Sequence, residues 1–458
     1  MTARDMTVPS ARAAPAPAST HGLRCDTASV FASQVVGVTT AVAGAVITAR
    51  VLGPSGRGVL ALATLWVSFF ALSVPLSAGY GIIYELRHVR ATLTLALSSA
   101  LGLALALGTV GIGLALLSAW SFSRTLLHGV PLGYVALASV GLPAAVFNTL
   151  VSLALTGAGR VKQASVLSAV TAVVSLLLVV GALVILRLGV WGAVAASAAA
   201  SLVGAALTIV WLRAHFELSL LAPRVFWLTI VRFGLKIHGG TMAQWANYYL
   251  DRFLINLYLG PVAVGVYAVA AMLAERLWLL PGAVGAALYC RTGGDAQDDA
   301  EVSARACRNT LWMMIGAFLL VAAAAPSLVP LVFGRDFAPA GRVLLLFLPG
   351  VVLLTAGKVL APYICNRGRP ILATHISLGA LAITLALNVL LIPSCGIAGA
   401  AIASSVAYGA NGIASALVFA RMSGRPLRAL VSFPHHDVKS LGLRGSRWIS
   451  VTLLRIAP

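Results

Sequence analysis

The chain contains twelve apolar runs, each long enough to cross a lipid bilayer as a single α-helix. A membrane-spanning helix needs about 20 predominantly apolar residues. The runs cover residues 27–52, 58–84, 91–118, 131–156, 162–186, 190–212, 226–259, 262–288, 307–333, 343–364, 370–392 and 397–421. Of the 458 residues, 60% are hydrophobic and 10% are charged, whereas soluble domains carry about 25% charged residues. The sequence therefore predicts an all-α, polytopic membrane protein and excludes an ordinary cytosolic enzyme.

Basic residues outnumber acidic ones and lie mainly between the apolar runs. The 32 Lys and Arg residues against 12 Asp and Glu residues give a formal net charge of +20. With the N-terminus placed in the cytoplasm, 22 basic residues fall on the cytoplasmic side and 6 on the other side. Cytoplasmic loops carry an excess of Lys and Arg. The count therefore predicts a multi-pass protein of the cytoplasmic membrane with both termini inside, and it gives no reason to expect a nucleic-acid partner.

The apolar runs and the segments between them predict five regions along the chain. Residues 1–26 are rich in Ala, Pro, Ser and Thr and are expected to be a disordered cytoplasmic tail. Two six-helix lobes follow at 27–213 and 226–421, and a cytoplasmic linker at 214–225 joins them. Residues 422–458 are expected to be a basic cytoplasmic tail that lies on anionic membrane lipid.

An internal repeat relates the two predicted lobes at a constant offset of 207 residues. The dipeptide GP at 53–54 aligns with GP at 260–261, and the motif GVWGA at 189–193 aligns with GIAGA at 396–400. Because each repeat contains six helices, an even number, both halves cross the membrane in the same direction. Parallel halves around a central site are an architecture of transporters.

Six ionisable residues fall inside apolar runs of the second half, where charge is costly. They are Lys236, Asp251, Arg252, Glu275, Arg276 and Lys358. Such a group costs about 2.5–3.5 kcal/mol at the centre of a spanning helix on insertion scales. The excess of positive over negative charge favours an anion such as a pyrophosphate, because Arg gives bidentate contacts and Lys a point charge. Gln244 and Asn247 extend the polar face of the seventh span and complete the predicted binding site.

The same residues also have a purely structural interpretation. Neighbours such as Asp251 and Arg252, or Glu275 and Arg276, point in different directions on a helix, so each needs a partner on another helix or on a substrate. Structural ion pairs, or long side chains that reach the membrane surface, are the alternatives to ligand binding. For Asp251 a cation site, a proton site and a counter-charge for a base all remain open.

Motifs of common enzyme and metal sites are absent from the sequence. There is no GxxxxGK[ST] phosphate loop, no HExxH or GxSxG motif, and the five cysteines form no CxxC pair. We therefore expect a protein that is not an enzyme and that holds neither a metal nor a cofactor.

Seven segments, in this order, resemble the polysaccharide-biosynthesis or oligosaccharide flippase family of Wzx type. They are ARVLGPSGRG at 49–58, DRFLINLYLG at 251–260, VGVY at 264–267, LVFGRDF at 331–337, NRGRP at 366–370, LNVLLIP at 387–393 and GIAGAAIA at 396–403. The superfamily of that family also contains the multidrug and toxic compound extrusion transporters and the lipid II flippase. The set spans nearly the whole membrane region.

The resemblance implies about twelve helices in two lobes with a central cavity that opens to one side at a time. It implies a flippase that moves a polyprenyl-pyrophosphate-linked oligosaccharide, driven by an ion gradient or the membrane potential. Membrane lipids and polysaccharide polymerase or other synthesis proteins would be its further partners. The first half departs from the pattern because it lacks the intramembrane charges of some relatives. A drug or cation antiporter of the same fold, or a non-transporting scaffold of a glycan-synthesis complex, is the alternative.

Overall fold

The computed structural model describes residues 20–89, 91–217, 223–292 and 296–432. The predicted N-terminal tail lies outside the described residues up to position 19, and the predicted basic tail does so from position 433. Part of the predicted linker, 218–222, also lies outside them. No strand occurs among the described residues, which are almost entirely helical. The all-α fold class is thereby confirmed.

Fourteen α-helices make up the described part of the chain. They are α1 (Thr20–Ser73), α2 (Ala78–Tyr84), α3 (Leu93–Ser121), α4 (Leu132–Ser139), α5 (Leu142–Gly157), α6 (Val161–Val180), α7 (Gly189–Arg213), α8 (Arg224–Leu259), α9 (Pro261–Leu277), α10 (Leu279–Arg291), α11 (Ala296–Phe333), α12 (Ala338–Asn366), α13 (Pro370–Ser423) and α14 (Arg428–Val431). Two π-helical turns, Glu85–Val89 and Gly181–Ile185, continue α2 and α6, and a 3₁₀ turn, Arg335–Phe337, precedes α12.

These helices form about twelve membrane crossings in the part of the chain that the structure describes. Eight helical segments, one of which joins α9 and α10, are long and apolar enough to span a bilayer. The long helices α1 and α13 each contain a sharp kink, at Gly53 and Gly396, so each of them crosses twice. The pair α4 and α5, bent by 43°, makes one crossing. Helix α8 has 36 residues and makes another, although its charged residues lower its hydropathy. The first six crossings lie in α1–α7 and the last six in α8–α13, as the repeat predicts.

The Gly-Pro dipeptide of each repeat ends one helix and begins the next. Gly53 and Gly260 have φ angles of 64° and 80°, which glycine adopts without the steric cost that a Cβ atom brings. Pro54 and Pro261 then open the following helix, where the missing N–H of proline leaves no bond unmade. The repeat in the sequence therefore marks the same turn in both halves.

These two turns meet at the interface between the halves. A Cβ atom built on Gly58 would lie 1.8 Å from the carbonyl oxygen of Pro261, and one built on Gly265 would lie 1.9 Å from that of Pro54. The contact is reciprocal, as a pseudo-two-fold axis between α1 and α9 requires. We call this side of the molecule the far face, and the side where α1 begins and α13 ends the tail face.

A second contact joins the halves nearer the tail face, between α2 and α8. The rings of Tyr84 and Phe233 stack with their centroids 4.3 Å apart, and Ser77 Oγ lies 3.1 Å from His238 Nδ1. Ser77 belongs to a turn with positive φ that precedes α2, and Gly234 packs directly against this turn. The two halves therefore touch at two levels of the membrane.

Candidate functional site

An ion pair between α8 and α9 lies inside the C-terminal half. The guanidinium group of Arg252 donates a short hydrogen bond to Glu275 Oε1. Its Cζ atom also lies 4.9 Å from the ring centroid of Tyr249. The two charged side chains are largely buried, with 12% and 21% of their surfaces exposed. Arg252 thus finds a partner on another helix, as the sequence analysis requires of it.

The neighbouring carboxylate, Asp251, is buried and bonded from two other helices. The hydroxyl of Tyr267 on α9 donates a short hydrogen bond to Asp251 Oδ2. Ser404 Oγ on α13 lies 3.4 Å from the same oxygen, and the backbone N–H of Arg252 donates to Oδ1 over 2.7 Å. Asp251 therefore ties α8 to α9 and α13, and its oxygens are occupied by protein donors.

The cation on α12, Lys358, lies in an aromatic surrounding. Its Nζ atom donates to Tyr248 Oη over 3.2 Å and lies 5.2 Å and 5.0 Å from the ring centroids of Tyr248 and Trp278. Gln244 Nε2 donates to the same Tyr248 oxygen over 3.1 Å, and Tyr408 packs edge-on against both rings. Among the described residues Lys358 has no carboxylate partner, so its charge is held by rings and a hydroxyl.

The other predicted site residues lie apart from this network or hold helices together. Asn247 is buried and accepts a hydrogen bond of 2.8 Å from Thr384 on α13. Arg276 has a buried Nε atom without a hydrogen-bond partner in the described chain. Lys236 is exposed on α8 and contacts none of the charged residues named above. The structure therefore brings together Asp251, Arg252 and Glu275, places Lys358 and Gln244 beside them, and leaves Lys236 outside.

Arg57 is the member of this region that the sequence analysis misses. The count of loop charges assigns it to an outer connection, whereas the structure places it in α1 after the kink, with a buried Nε atom that has no acceptor among the described residues. The adjacent Gly58 packs against the backbone of Pro261 at the start of α9, so Arg57 lies at the interface between the halves. The first half thus contributes a basic side chain whose Nε atom is buried, close to the contact between the halves. The repeat pairs Arg57 with Val264, 207 positions later, and Val264 is fully buried in the structure. This pairing with an apolar residue is the signal that Arg57 belongs to a helix and not to a loop.

A two-lobed bundle of about twelve crossings, with charged and aromatic side chains gathered inside one lobe and an arginine contributed by the other, defines a multi-pass helical membrane protein. A family model described as Polysaccharide biosynthesis protein matches residues 47–341. This match covers more than half of the chain, and the chain belongs to that family.

A relative from an archaeon aligns with part of the chain. It is the probable low-salt glycan biosynthesis flippase Agl15 of Haloferax volcanii, which is 24% identical over 178 residues. The alignment covers 38% of this chain and 37% of Agl15. The chain thus spans little more than a third of the length of the relative it matches.

Solved structures share the fold over most of their length. The inward-facing conformation of a multidrug resistance MATE family transporter of the MOP superfamily aligns with a TM-score of 0.69 at 16% identity, covering 85% of this chain and 95% of that one. The lipid II flippase MurJ in an inward closed conformation aligns with a TM-score of 0.68 at 11% identity, covering 89% and 91%. At sequence identities this low, the comparison with these two structures shows a shared fold and nothing more.

Proposed function

We propose that the chain moves a polyprenyl-pyrophosphate-linked oligosaccharide across the cytoplasmic membrane by alternating access of its two lobes. The observation that supports this function is an excess of cationic groups inside the spans. Lys358 pairs with no carboxylate of the described residues, and the buried Nε atom of Arg57 has no acceptor there. Because such groups are costly in a membrane, an anionic ligand that supplies the missing negative charge is favoured.

Three basic residues, one from the N-terminal lobe and two from the C-terminal lobe, bind the pyrophosphate together. Lys358 offers a compact charge, whereas Arg57 and Arg252 offer planar guanidinium groups that match phosphate oxygens. Arg252 keeps Glu275 as its partner, so its buried and unpartnered Nε atom is the group that turns to the ligand. Asp251 takes the structural role left open by the sequence, since its oxygens already accept bonds from Tyr267, Ser404 and a backbone N–H.

Movement of the lobes exposes this centre to one side at a time. The proposed orientation puts both termini in the cytoplasm, so the tail face is cytoplasmic and the far face is extracytoplasmic. The reciprocal Gly-Pro contact then closes the far face while the head group binds from the cytoplasm. Parting of α1 from α9 releases the head group outside, while the polyprenyl chain stays in lipid.

The proposal is tested in a strain that lacks this chain. We expect lipid-linked oligosaccharide to accumulate and surface polysaccharide to be lost, with rescue by the wild-type chain. Lys358→Ala and Arg57→Ala should fail to rescue, whereas Lys236→Ala, which removes an exposed lysine from the same helix bundle, should rescue fully. Unchanged lipid-linked glycan in the deletion strain would contradict the proposal. If the deletion strain instead lost resistance to cationic drugs, the antiporter would be favoured. If all variants rescued the deletion strain fully, the non-transporting scaffold would be favoured.

A further inference from the structure

A cavity of about 270 Å³ lies in the N-terminal half, between α1, α5 and α6. Six of its nine lining side chains are polar and uncharged, and the other three lining residues are glycine or alanine. The polar residues are Ser33, Gln34, Ser152, Thr156, Ser165 and Ser168. No side chain larger than glutamine lines the cavity, and Gln34 and Ser168 are exposed, so the cavity is open to the outside of the helix bundle.

Several of these polar groups have hydrogen-bonding capacity to spare. Thr156 Oγ1 donates to the Ser152 carbonyl over 2.8 Å and Ser168 Oγ to the Ala164 carbonyl over 2.9 Å, so each keeps lone pairs that accept. The side chains of Gln34 and Ser165 make no hydrogen bond with any described residue, and they offer both donors and acceptors. The cavity therefore presents donors and acceptors without any formal charge.

The cavity is a feature of one half and not of the shared scaffold. At the offset of 207 residues, Ser152 corresponds to Val359 and Thr156 to Tyr363, both of which are buried in the core of the C-terminal half. Ser165 corresponds to Leu372. The C-terminal half thus has larger, less polar residues at these three positions, whereas Ser33, Gln34 and Ser168 correspond to Gly240, Thr241 and His375.

We infer that this cavity binds a neutral sugar residue of the carried glycan. A bound phosphate would require a cationic side chain, and a bound ammonium group would require a carboxylate. The lining of the cavity contains neither. A sugar hydroxyl both donates and accepts, which the lining matches. The volume equals that of about nine water molecules of liquid, which suits a single sugar ring. The inference rests on the proposed function, because it names the part of the same substrate that the first lobe holds.

The position of the cavity agrees with entry of the sugar from the tail face. Gly37 and Ser33 precede the far-face kink at Gly53 by 16 and 20 residues, which is about 24–30 Å along a helix. Arg57 lies just beyond that kink. The glycan and the pyrophosphate would therefore occupy different levels of the membrane.

Gly37 allows the cavity to be filled without disturbing the fold. A Cβ atom built on Gly37 meets nothing within 4 Å, so Gly37→Leu places an apolar side chain in the open space. Gly113→Leu on α3 is the matched control, because Gly113 is exposed and its Cβ atom also meets nothing within 4 Å. Ser165→Leu fills the cavity from the opposite wall and checks that the effect belongs to the cavity.

The experiment measures the thermal stabilisation of the purified full chain by three probes. These are polyprenyl pyrophosphate without sugar, the lipid-linked oligosaccharide extracted from the host, and the free glycan released from it. We expect the wild type and Gly113→Leu to bind the lipid-linked oligosaccharide more tightly than the bare polyprenyl pyrophosphate. Gly37→Leu and Ser165→Leu should bind the bare lipid normally and the glycan-bearing lipid about tenfold more weakly than the wild type, as loss of one or two hydrogen bonds implies.

The outcomes separate this inference from the proposed function. If Gly37→Leu binds the glycan-bearing lipid as tightly as the wild type, the cavity does not hold the sugar, although the flippase proposal stands. The wild type could instead bind neither lipid but bind the free glycan, with Gly37→Leu abolishing that binding. This result would support the sugar site and contradict the flippase proposal. If none of the probes binds the wild type, both are contradicted.

Discussion

A polar side chain inside the spans needs a partner in the protein or in a bound ligand, because lipid offers none. Asp251 shows how three helices meet this requirement together. Its two carboxylate oxygens accept hydrogen bonds from Tyr267, Ser404 and the backbone N–H of Arg252. The buried carboxylate therefore holds α8, α9 and α13 in a fixed relation and positions Arg252 beside Glu275.

Removal of the Tyr267 hydroxyl should destabilise the fold. Tyr267→Phe leaves a buried carboxylate oxygen without its main donor, which costs about 1–3 kcal/mol of unfolding free energy. Tyr258→Phe is the matched control, since Tyr258 is 42% exposed on α8. Thermal unfolding of the two variants in detergent makes the comparison. Equal melting temperatures for the two would show that the Tyr267 hydroxyl contributes nothing to stability.

The aromatic surrounding of Lys358 predicts a second effect at the scale of the residue. Trp278→Leu removes a ring whose centroid lies 5.0 Å from Lys358 Nζ, and a desolvated cation–π contact is worth about 2 kcal/mol. We expect weaker binding of polyprenyl pyrophosphate by Trp278→Leu, while Trp191→Leu, an exposed tryptophan of the other lobe, should bind normally. Unchanged affinity in Trp278→Leu would mean that the ring does not hold Lys358 in place.

The sequence identified the costly charges of the second half but not what surrounds them. Arg252, Glu275 and Lys358 stand out because charge is rare in apolar runs. Their partners come from helices far apart in the chain, and an isolated Tyr or Ser in an apolar run gives no sign of its neighbours. Arg57 was missed for a different reason, because it follows a Gly-Pro turn and loop counting places every such residue in water.

At the scale of the element, the Gly-Pro turns set how closely the halves approach. Gly58 and Gly265 have no side chain, and the space that a Cβ atom would occupy is filled by the backbone of the other repeat. The repeat predicted two parallel halves from the sequence. It did not predict that its own two copies touch, because a repeat reports internal similarity and says nothing about the axis between the copies.

Enlarging Gly58 should part the halves at the far face. Gly58→Ala places a methyl group 1.8 Å from the Pro261 carbonyl oxygen, a distance that backbone atoms cannot tolerate. In a chain whose native cysteines are replaced, spin labels at positions 124 and 335 should report a longer distance between the lobes in Gly58→Ala than in the unsubstituted chain. Gly113→Ala should leave that distance unchanged. An unchanged distance in Gly58→Ala would contradict the assignment of this contact as the far-face closure.

At the scale of the whole molecule, the two halves share a scaffold but differ in their interiors. The C-terminal half contains the Arg252–Glu275 ion pair, Asp251 and the rings around Lys358, whereas the N-terminal half contributes Arg57 and a hydroxyl-lined cavity. A pseudo-symmetric frame with unlike interiors suits a substrate whose two ends differ, one anionic and one rich in hydroxyl groups. The sequence repeat predicts the shared scaffold of the two halves. It does not predict their different interiors, because these depend on which side chains the three-dimensional packing brings together.

Translocation by the purified chain tests the central claim most directly. The full chain is reconstituted into liposomes that contain lipid-linked oligosaccharide in both leaflets, and a membrane-impermeant glycosidase is added outside. The wild-type chain should render the inner-leaflet share of the glycan accessible, whereas Lys358→Ala should leave it protected, as in liposomes without protein. Protection of the inner share in the presence of the wild-type chain, with a potential or ion gradient applied in either direction, would contradict the claim.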